Sequence, residues 1–411
     1  MNKIVQLFFL NLFFLNYYES FSQNLPSLLL NKNINSTFSI LAFDKDQQEW
    51  GIAVATNNIY VGNSTIYVTP GVGAFSIIAE TEPAYAVNGF RELKKGKTIK
   101  EAILFTKKRD DEFYNRQVSG IDAKGNVYAF TGGALKYWNG LSAHIPGKRY
   151  VVMGNQLADS VLIKMAFAFE NSKGTLAERL LKSLITGQNA GGQITGKQSA
   201  ALVVKGSNNE WFNQIDLRVD NSKTPFDDLQ KLLNYHYGRI RINQSIAAIK
   251  MMNKKRGEDL LHQAEELIDG WNGMYSKLAM AYILLDQEDK AVSIIQKAMA
   301  ENPQWKKNLP TFYCLAQHPE IGQLLNVDSF SLKDWNNAIN FMIEINQSKQ
   351  AIELATKVLQ NYSQSSFTHY LLGKAYNTEG NKKQAKDYLI KALLFDKENA
   401  EAKKLLHNLN K

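Results

Sequence analysis

The chain has 411 residues, 45% of them hydrophobic and 21% charged, with a net charge of +9. This is an ordinary globular composition with room for two or three domains. The positive charge is spread over short lysine clusters such as Lys94-Lys95 and Lys306-Lys307, without an arginine-rich or aromatic-interleaved tract, which argues against nucleic-acid binding.

Lys3 precedes an apolar run from residue 4 to 15, and Ser20-Phe21-Ser22 places small residues where a signal peptidase reads. This predicts a secretory signal over 1–22, too short to span a membrane, and export to a periplasm or beyond. Residues 23–36 read as a leader. A first domain is expected over 37–237. Short apolar runs bounded by turn residues predict strands at 37–43, 50–56 and 72–79. Helices follow at 84–93 and 98–107, the second opened by a Thr98/Glu101 capping box. A hairpin joins 117–122 to 127–131 across Lys124-Gly125-Asn126, and a strand is expected at 150–153. Helices at 157–170 and 175–186, strands at 199–204 and 212–219, and a helix after Pro225 complete the domain. Strands and helices segregated in runs argue for an α+β fold, a four-layer αββα sandwich, rather than a doubly wound sheet.

The glycine clusters Gly71-Val-Gly73 and Gly187 to Gly192 match no phosphate-binding spacing and read as turns, so no nucleotide site or other cofactor is expected. The single cysteine, Cys314, excludes an internal disulfide, and without a Cys/His cluster no metal site is expected. Thr37, at the head of the first strand, is either an ordinary strand residue or a nucleophile activated by its own α-amine. The second role requires a cut between Ser36 and Thr37, which self-processing would supply. Asp216, Arg218 and Asp220 fall on one face of a strand. They form an internal ion-paired network or a polar wall beside a site, or else a solvent-facing edge.

Several blocks share an order and spacing: Thr37-Phe-Ser-Ile-Leu-Ala-Phe-Asp44, Gly51-Ile-Ala-Val-Ala55, Gly120-Ile-Asp122, Val152-Met-Gly-Asn-Gln-Leu157, Gln198-Ser-Ala-Ala-Leu-Val-Val204 and Asp216-Leu-Arg-Val-Asp220. They resemble the bacterial domain-of-unknown-function 1028 family over about 37–233. The resemblance implies the N-terminal nucleophile hydrolase superfamily and puts Thr37 at its nucleophile position. It also makes Asn155, in the Gly-Asn-x-Leu segment, or the nearby backbone N–H groups, candidates for stabilising an oxyanion, although a helix N-cap explains an asparagine there equally well. Ser199, Asp216 and Arg218 become candidates for orienting nucleophile or substrate. One departure is Trp138-Asn-Gly140, followed by Leu141 where the family often has histidine; His144 comes three positions later.

Residues 238–411 repeat with a period of 34. Units at 272–305 and 366–399 carry Leu, Ala and Tyr in one frame, and a third at 332–365 carries Trp335, Ala338, Ala351, Ala355 and Val358; they resemble tetratricopeptide repeats. Residues 306–331, with Pro310 and Pro319, interrupt the frame, and 238–271 reads as a degenerate first unit. Stacked helix pairs of this kind make a concave surface for a protein or peptide partner. Together these readings describe an exported hydrolase acting on an amide bond of an unknown substrate, with a docking module. The alternative is a non-catalytic binding or scaffold protein.

Overall fold

The computed structural model describes residues 36–210, 213–308, 311–312 and 330–410. The expected signal, the leader up to residue 35, Cys314, Pro310 and Pro319 lie outside them. The chain divides into two units, Met1–Leu233 and Asn234–Lys411.

In the first unit β1 (Thr37–Asp44) runs through the middle of a six-stranded sheet. Its neighbours are β2 (Glu49–Thr56) and β8 (Tyr150–Leu157). Outside β2 lie β9 (Ser199–Gly206) and β10 (Ile215–Val219), and outside β8 lies β7 (Leu141–Gly147). A second, four-stranded sheet has the order β3 (Ile66–Thr69), β4 (Gly73–Ala79), β5 (Arg116–Asp122), β6 (Val127–Thr131). All pairings are antiparallel.

Seven of the eight residues of β1 are buried, so both faces of the strand meet packed layers. Strand side chains alternate. Leu41 and Phe43 join Trp50 and Ile52 against Ala74 and Ile121 of the other sheet, and Ser39 accepts a hydrogen bond from Ser76 across the same gap. Thr37 has the same parity and faces the inter-sheet space. Phe38 has the opposite parity and packs beside Phe226, with ring centroids 6.2 Å apart. Helices α1 (Ala84–Lys94) and α2 (Ile99–Lys107) cover the smaller sheet, where Tyr85, Ala86, Ile99 and Ile103 meet Phe75, Ile77 and Val118. Helices α3 (Val161–Asn171) and α4 (Leu176–Asn189) cover the larger one. Gly51 lets Leu180 and Leu176 of α4 lie against the β2 backbone; a Cβ there would stand 2.5 Å from the Leu180 side chain. The layer order is therefore αββα, an α+β domain as expected. The capping boxes are formed at Thr98/Glu101 and at Thr175/Glu178.

Two short strands escaped the sequence reading. β3 has four residues, and β7 contains Pro146 and Gly147, which strands tolerate chiefly at edges; both lie at sheet edges. The helix expected from 157 begins at Val161, because β8 continues to Leu157. The strand expected from 212 begins at Ile215.

A 26-residue helix, α5 (Pro225–Lys250), precedes α6 (Lys254–Leu267). Three helix pairs follow in the second unit: α7 (Tyr275–Leu284) with α8 (Glu288–Glu301), α9 (Leu332–Glu344) with α10 (Ser348–Asn361), and α11 (Ser366–Thr378) with α12 (Lys382–Phe395). A last helix, α13 (Ala400–Leu409), packs on α12 through Ala402 and is otherwise largely exposed, as a capping element should be. Helices α9 and α11 begin 34 residues apart. The same spacing recurs in two bonds of 2.8 Å, Lys277 Nζ to Asn243 Oδ1 and Lys374 Nζ to Asn340 Oδ1. Small buried residues, Ala279 and Ala291, Ala338 and Ala351, Gly373 and Ala385, let paired helices approach. No described helix is long and apolar enough to cross a membrane.

Candidate active site

Strand register assembles a polar row at one end of the larger sheet. Thr37 of β1 lies opposite Thr56 of β2 on one side and Asn155 of β8 on the other. Thr56 in turn lies opposite Ser199 of β9. Directly opposed residues share a face, so four residues distant in sequence, Ser199, Thr56, Thr37 and Asn155, stand side by side. Asn155 is thus a strand residue and not a helix cap. Beside it the ladder between β7 and β8 shifts register, and Gln156 takes a left-handed φ of 53°. Ala79, across the inter-sheet gap, is also left-handed at 68°. Non-glycine residues rarely adopt this conformation, and such strain clusters at functional positions.

Thr37 is 8% exposed and borders a cleft of about 260 Å³. The other lining residues include Thr56, Asn58, Tyr60, Ser64, Thr65 and Thr81, and no charged side chain is among them. Thr37 Oγ1 lies 3.0 Å from Thr56 Oγ1. The single hydroxyl proton of Thr56 is donated to the Ser36 carbonyl at 2.8 Å. Thr37 must therefore be the donor of the pair. Its proton points along a short chain that ends on the carbonyl preceding its own nitrogen.

That carbonyl is unusually well supplied with donors. Besides Thr56 it accepts from Gln193 Nε2 at 2.5 Å and from the Asn57 backbone N–H at 3.3 Å. The rest of Ser36 is also engaged. Its N–H donates to Asn57 Oδ1 at 2.9 Å, and its hydroxyl lies 2.5 Å from Thr195 Oγ1.

Asn155 faces Thr37 with its oxygen. The Thr37 N–H donates to Asn155 Oδ1 at 3.1 Å, while Asn155 Nδ2 donates to Gln117 Oε1 at 2.9 Å. The oxyanion role expected of Asn155 therefore finds its amide nitrogen already committed. Gln117 fixes this orientation through its own Nε2, whose two hydrogens are shared among Gly154 O at 2.9 Å, Thr131 Oγ1 at 3.1 Å and Ala143 O at 3.2 Å. Thr131 contacts His144 Nδ1 at 2.9 Å, and burial holds the imidazole below its ordinary pKa, favouring the neutral ring. His144 thus ends a hydrogen-bonded chain that begins at the buried Thr37 nitrogen and runs to half-buried Thr131 and His144.

The remaining sequence-derived candidates divide. Ser199 is fully buried beside Thr56, and its hydroxyl has no hydrogen-bond partner among the described residues. Asp216 and Arg218 pair with each other at 3.1 Å on the outermost strand, where both are more than a third exposed, and Lys205 joins them at 3.6 Å. They form an edge-strand ion pair, the second of the two arrangements the spacing allowed. Arg218 packs its stem against Gly62, in the loop that leads into the cleft wall. Thr56, Asn57, Gln117, Gln193 and Thr195 were missed. The only signal that could have found Thr56 was the pairing of the first two strands across the Asp44 turn. Among the described residues no group of three His, Cys, Asp or Glu side chains could hold a metal ion.

Comparison with known proteins agrees with this division of the chain. Residues 37–229 match the family of unknown function DUF1028, and residues 273–304 and 368–399 match the tetratricopeptide repeat. A solved protein of Silicibacter pomeroyi, described as DUF1028, is 28% identical, covering 48% of this chain and 84% of that one with a TM-score of 0.44. MamA of Desulfovibrio magneticus RS-1 is 16% identical over 42% of this chain and 84% of its own, with a TM-score of 0.20. YrrB, described as a TPR protein with an unusual peptide-binding site, is 16% identical over 40% and 89%, with a TM-score of 0.22. No curated protein matches. The first unit of this chain is a DUF1028 domain, and tetratricopeptide repeats follow it.

Proposed function

We propose that the first domain is an exported N-terminal threonine hydrolase that cleaves amide bonds, and that the repeats dock a protein or peptide partner. The observation that supports it best is the pairing of Thr37 Oγ1 with a Ser36 carbonyl held by three donors. In the precursor, Thr37 Oγ1 adds to the Ser36 carbonyl carbon. Its proton passes by way of the Thr56 hydroxyl, and the donors around the carbonyl oxygen stabilise the developing charge. The Ser36–Thr37 C–N bond breaks, the proton finishes on the Thr37 nitrogen, and water hydrolyses the resulting ester. Thr37 then carries a free α-amine, which Asn155 Oδ1 orients by accepting one of its hydrogens. An α-amine has a pKa of about 7.7–8.0, so a substantial fraction is unprotonated near neutral pH and can take the hydroxyl proton. Attack on a substrate amide forms an ester at Oγ1. The leaving nitrogen takes the proton from the ammonium, and water, deprotonated by the same amine, releases the acid.

The test is amine release from a panel of acyl amides by a chain beginning at Thr37, obtained by its own processing or by cutting a fusion. Hydrolysis that disappears in Thr37→Ala and survives in part in Thr37→Ser is expected. A second reading, a binding domain that keeps the fold without the chemistry, draws on the complete burial of Ser36. It predicts that the Ser36–Thr37 bond stays intact and that no member of the panel turns over.

A further inference from the structure

The seat of Ser36 carries more information than a scissile bond needs. Four neighbours satisfy every polar atom of this one residue: Asn57 at its N–H, Thr195 at its hydroxyl, and Thr56, Gln193 and Asn57 at its carbonyl. Ser36 is fully buried, so these partners were withdrawn from water to hold it. Once residue 36 leaves, Thr195 Oγ1 and Gln193 Nε2 lose that partner while still half-buried and buried. Buried groups left unpaired cost free energy, and a ligand that restores the same bonds recovers it. Gln193 adds an independent mark. It is 5% exposed, and its Oε1 is buried with no partner among the described residues even while Ser36 is in place.

Resting on the threonine-hydrolase reading, we infer that the acyl residue of the true substrate occupies the place of Ser36, which makes the enzyme an amidase for serine-like acyl groups. The required features follow one by one. The substrate has an N–H on the α-carbon, for Asn57 Oδ1. It has a carbonyl placed among Thr56, Gln193 and the Asn57 N–H. It has a short side chain bearing a hydroxyl, for Thr195. All four neighbours are neutral, so a carboxylate or ammonium side chain would be desolvated without a counter-charge and is excluded. An alanyl group fits but leaves the Thr195 hydroxyl unpaired. A leucyl group leaves the Thr195 hydroxyl unpaired as well and needs more room than the fully buried Ser36 side chain occupies. A site built to pair with a substrate hydroxyl discriminates against the analogue lacking it more strongly than an apolar pocket discriminates by size.

The experiment compares kcat/KM for N-acetyl-seryl, -alanyl, -aspartyl, -lysyl and -leucyl 7-amido-4-methylcoumarin with the chain that begins at Thr37. The seryl amide should exceed the alanyl amide by about tenfold or more, and the charged amides by more than that. Thr195→Val keeps the shape and removes the hydroxyl, and should bring the seryl and alanyl amides to within about twofold of each other. Thermal denaturation supplies a readout free of turnover: N-acetylserinamide should raise the Tm of the same chain and N-acetylalaninamide should not. Hydrolysis with no serine preference, or a preference that survives in Thr195→Val, would overturn this inference and leave the nucleophile in place. A panel hydrolysed nowhere, with neither amide raising the Tm, would remove both readings together.

Discussion

At the scale of residues, the account turns on hydroxyls and amides and on no charged group. Thr56 is the pivot, because it accepts from Thr37 and donates to the carbonyl before it. Thr56→Val preserves volume and strand propensity but removes both bonds. Loss of one donor to a developing oxyanion costs about 10²–10³ in rate. Appearance of the shortened chain should slow by at least about 10²-fold, followed by intact mass over time, while the midpoint of thermal unfolding shifts little. An unchanged rate would take Thr56 out of the mechanism. Thr37 was legible from the sequence because the head of a strand and a block of family-like residues coincide there. Gln117 and Gln193 were not. A lone glutamine in a strand or a glycine-rich loop has no spacing that marks it, and only the folded backbone brings Gln117 to Asn155 and Gln193 to Ser36.

At the scale of elements, local chemistry was read well where the signal is local. The expected Thr98/Glu101 capping box forms, and the structure adds a second at Thr175/Glu178. What failed were edge strands, where four residues or a Pro-Gly pair give no alternation, and the end of β8, where a bulge replaces the expected helix start. Helix α11 carries a consequence for pH. His369 is buried, stacked against Tyr388 and Phe395 of α12, and contacts Ser363 O through Nε2. Burial, with a smaller contribution from Lys391, holds its pKa below the ordinary value, so the folded state favours the neutral ring. The unfolded chain protonates near pH 6.5. Stability from this residue is therefore complete above about pH 6.5 and is lost as pH falls towards the lowered folded value. His369→Gln keeps a donor for Ser363 O and cannot titrate. Between pH 7.5 and 5.5 the wild-type chain should lose more stability than the variant, measured by denaturant melts followed by circular dichroism. Equal losses would contradict the assignment.

At the scale of the whole molecule, the chain divides into two compact units, Met1–Leu233 and Asn234–Lys411. The apolar clusters between and around the sheets draw on residues 41–201, and those of the helical array on residues 242–402. A fragment covering 234–411 should then fold alone, with a helical spectrum, and calorimetry of the full chain should resolve two transitions, one of which the fragment reproduces. A fragment without helical structure would show that the array depends on the first domain. The sequence disclosed this division readily, because a 34-residue period is a long-range signal that survives local ambiguity. It could not disclose the site, which is made by register across four strands.

The most direct measurement is the amino-terminal residue of the protein recovered from the envelope of its own cells, by intact mass and terminal sequencing. The account predicts a chain that starts at Thr37, and a Thr37→Ala chain that still carries Ser36 and the residues before it. A wild-type protein that persistently begins at Gln23, with its function unaltered, would contradict it.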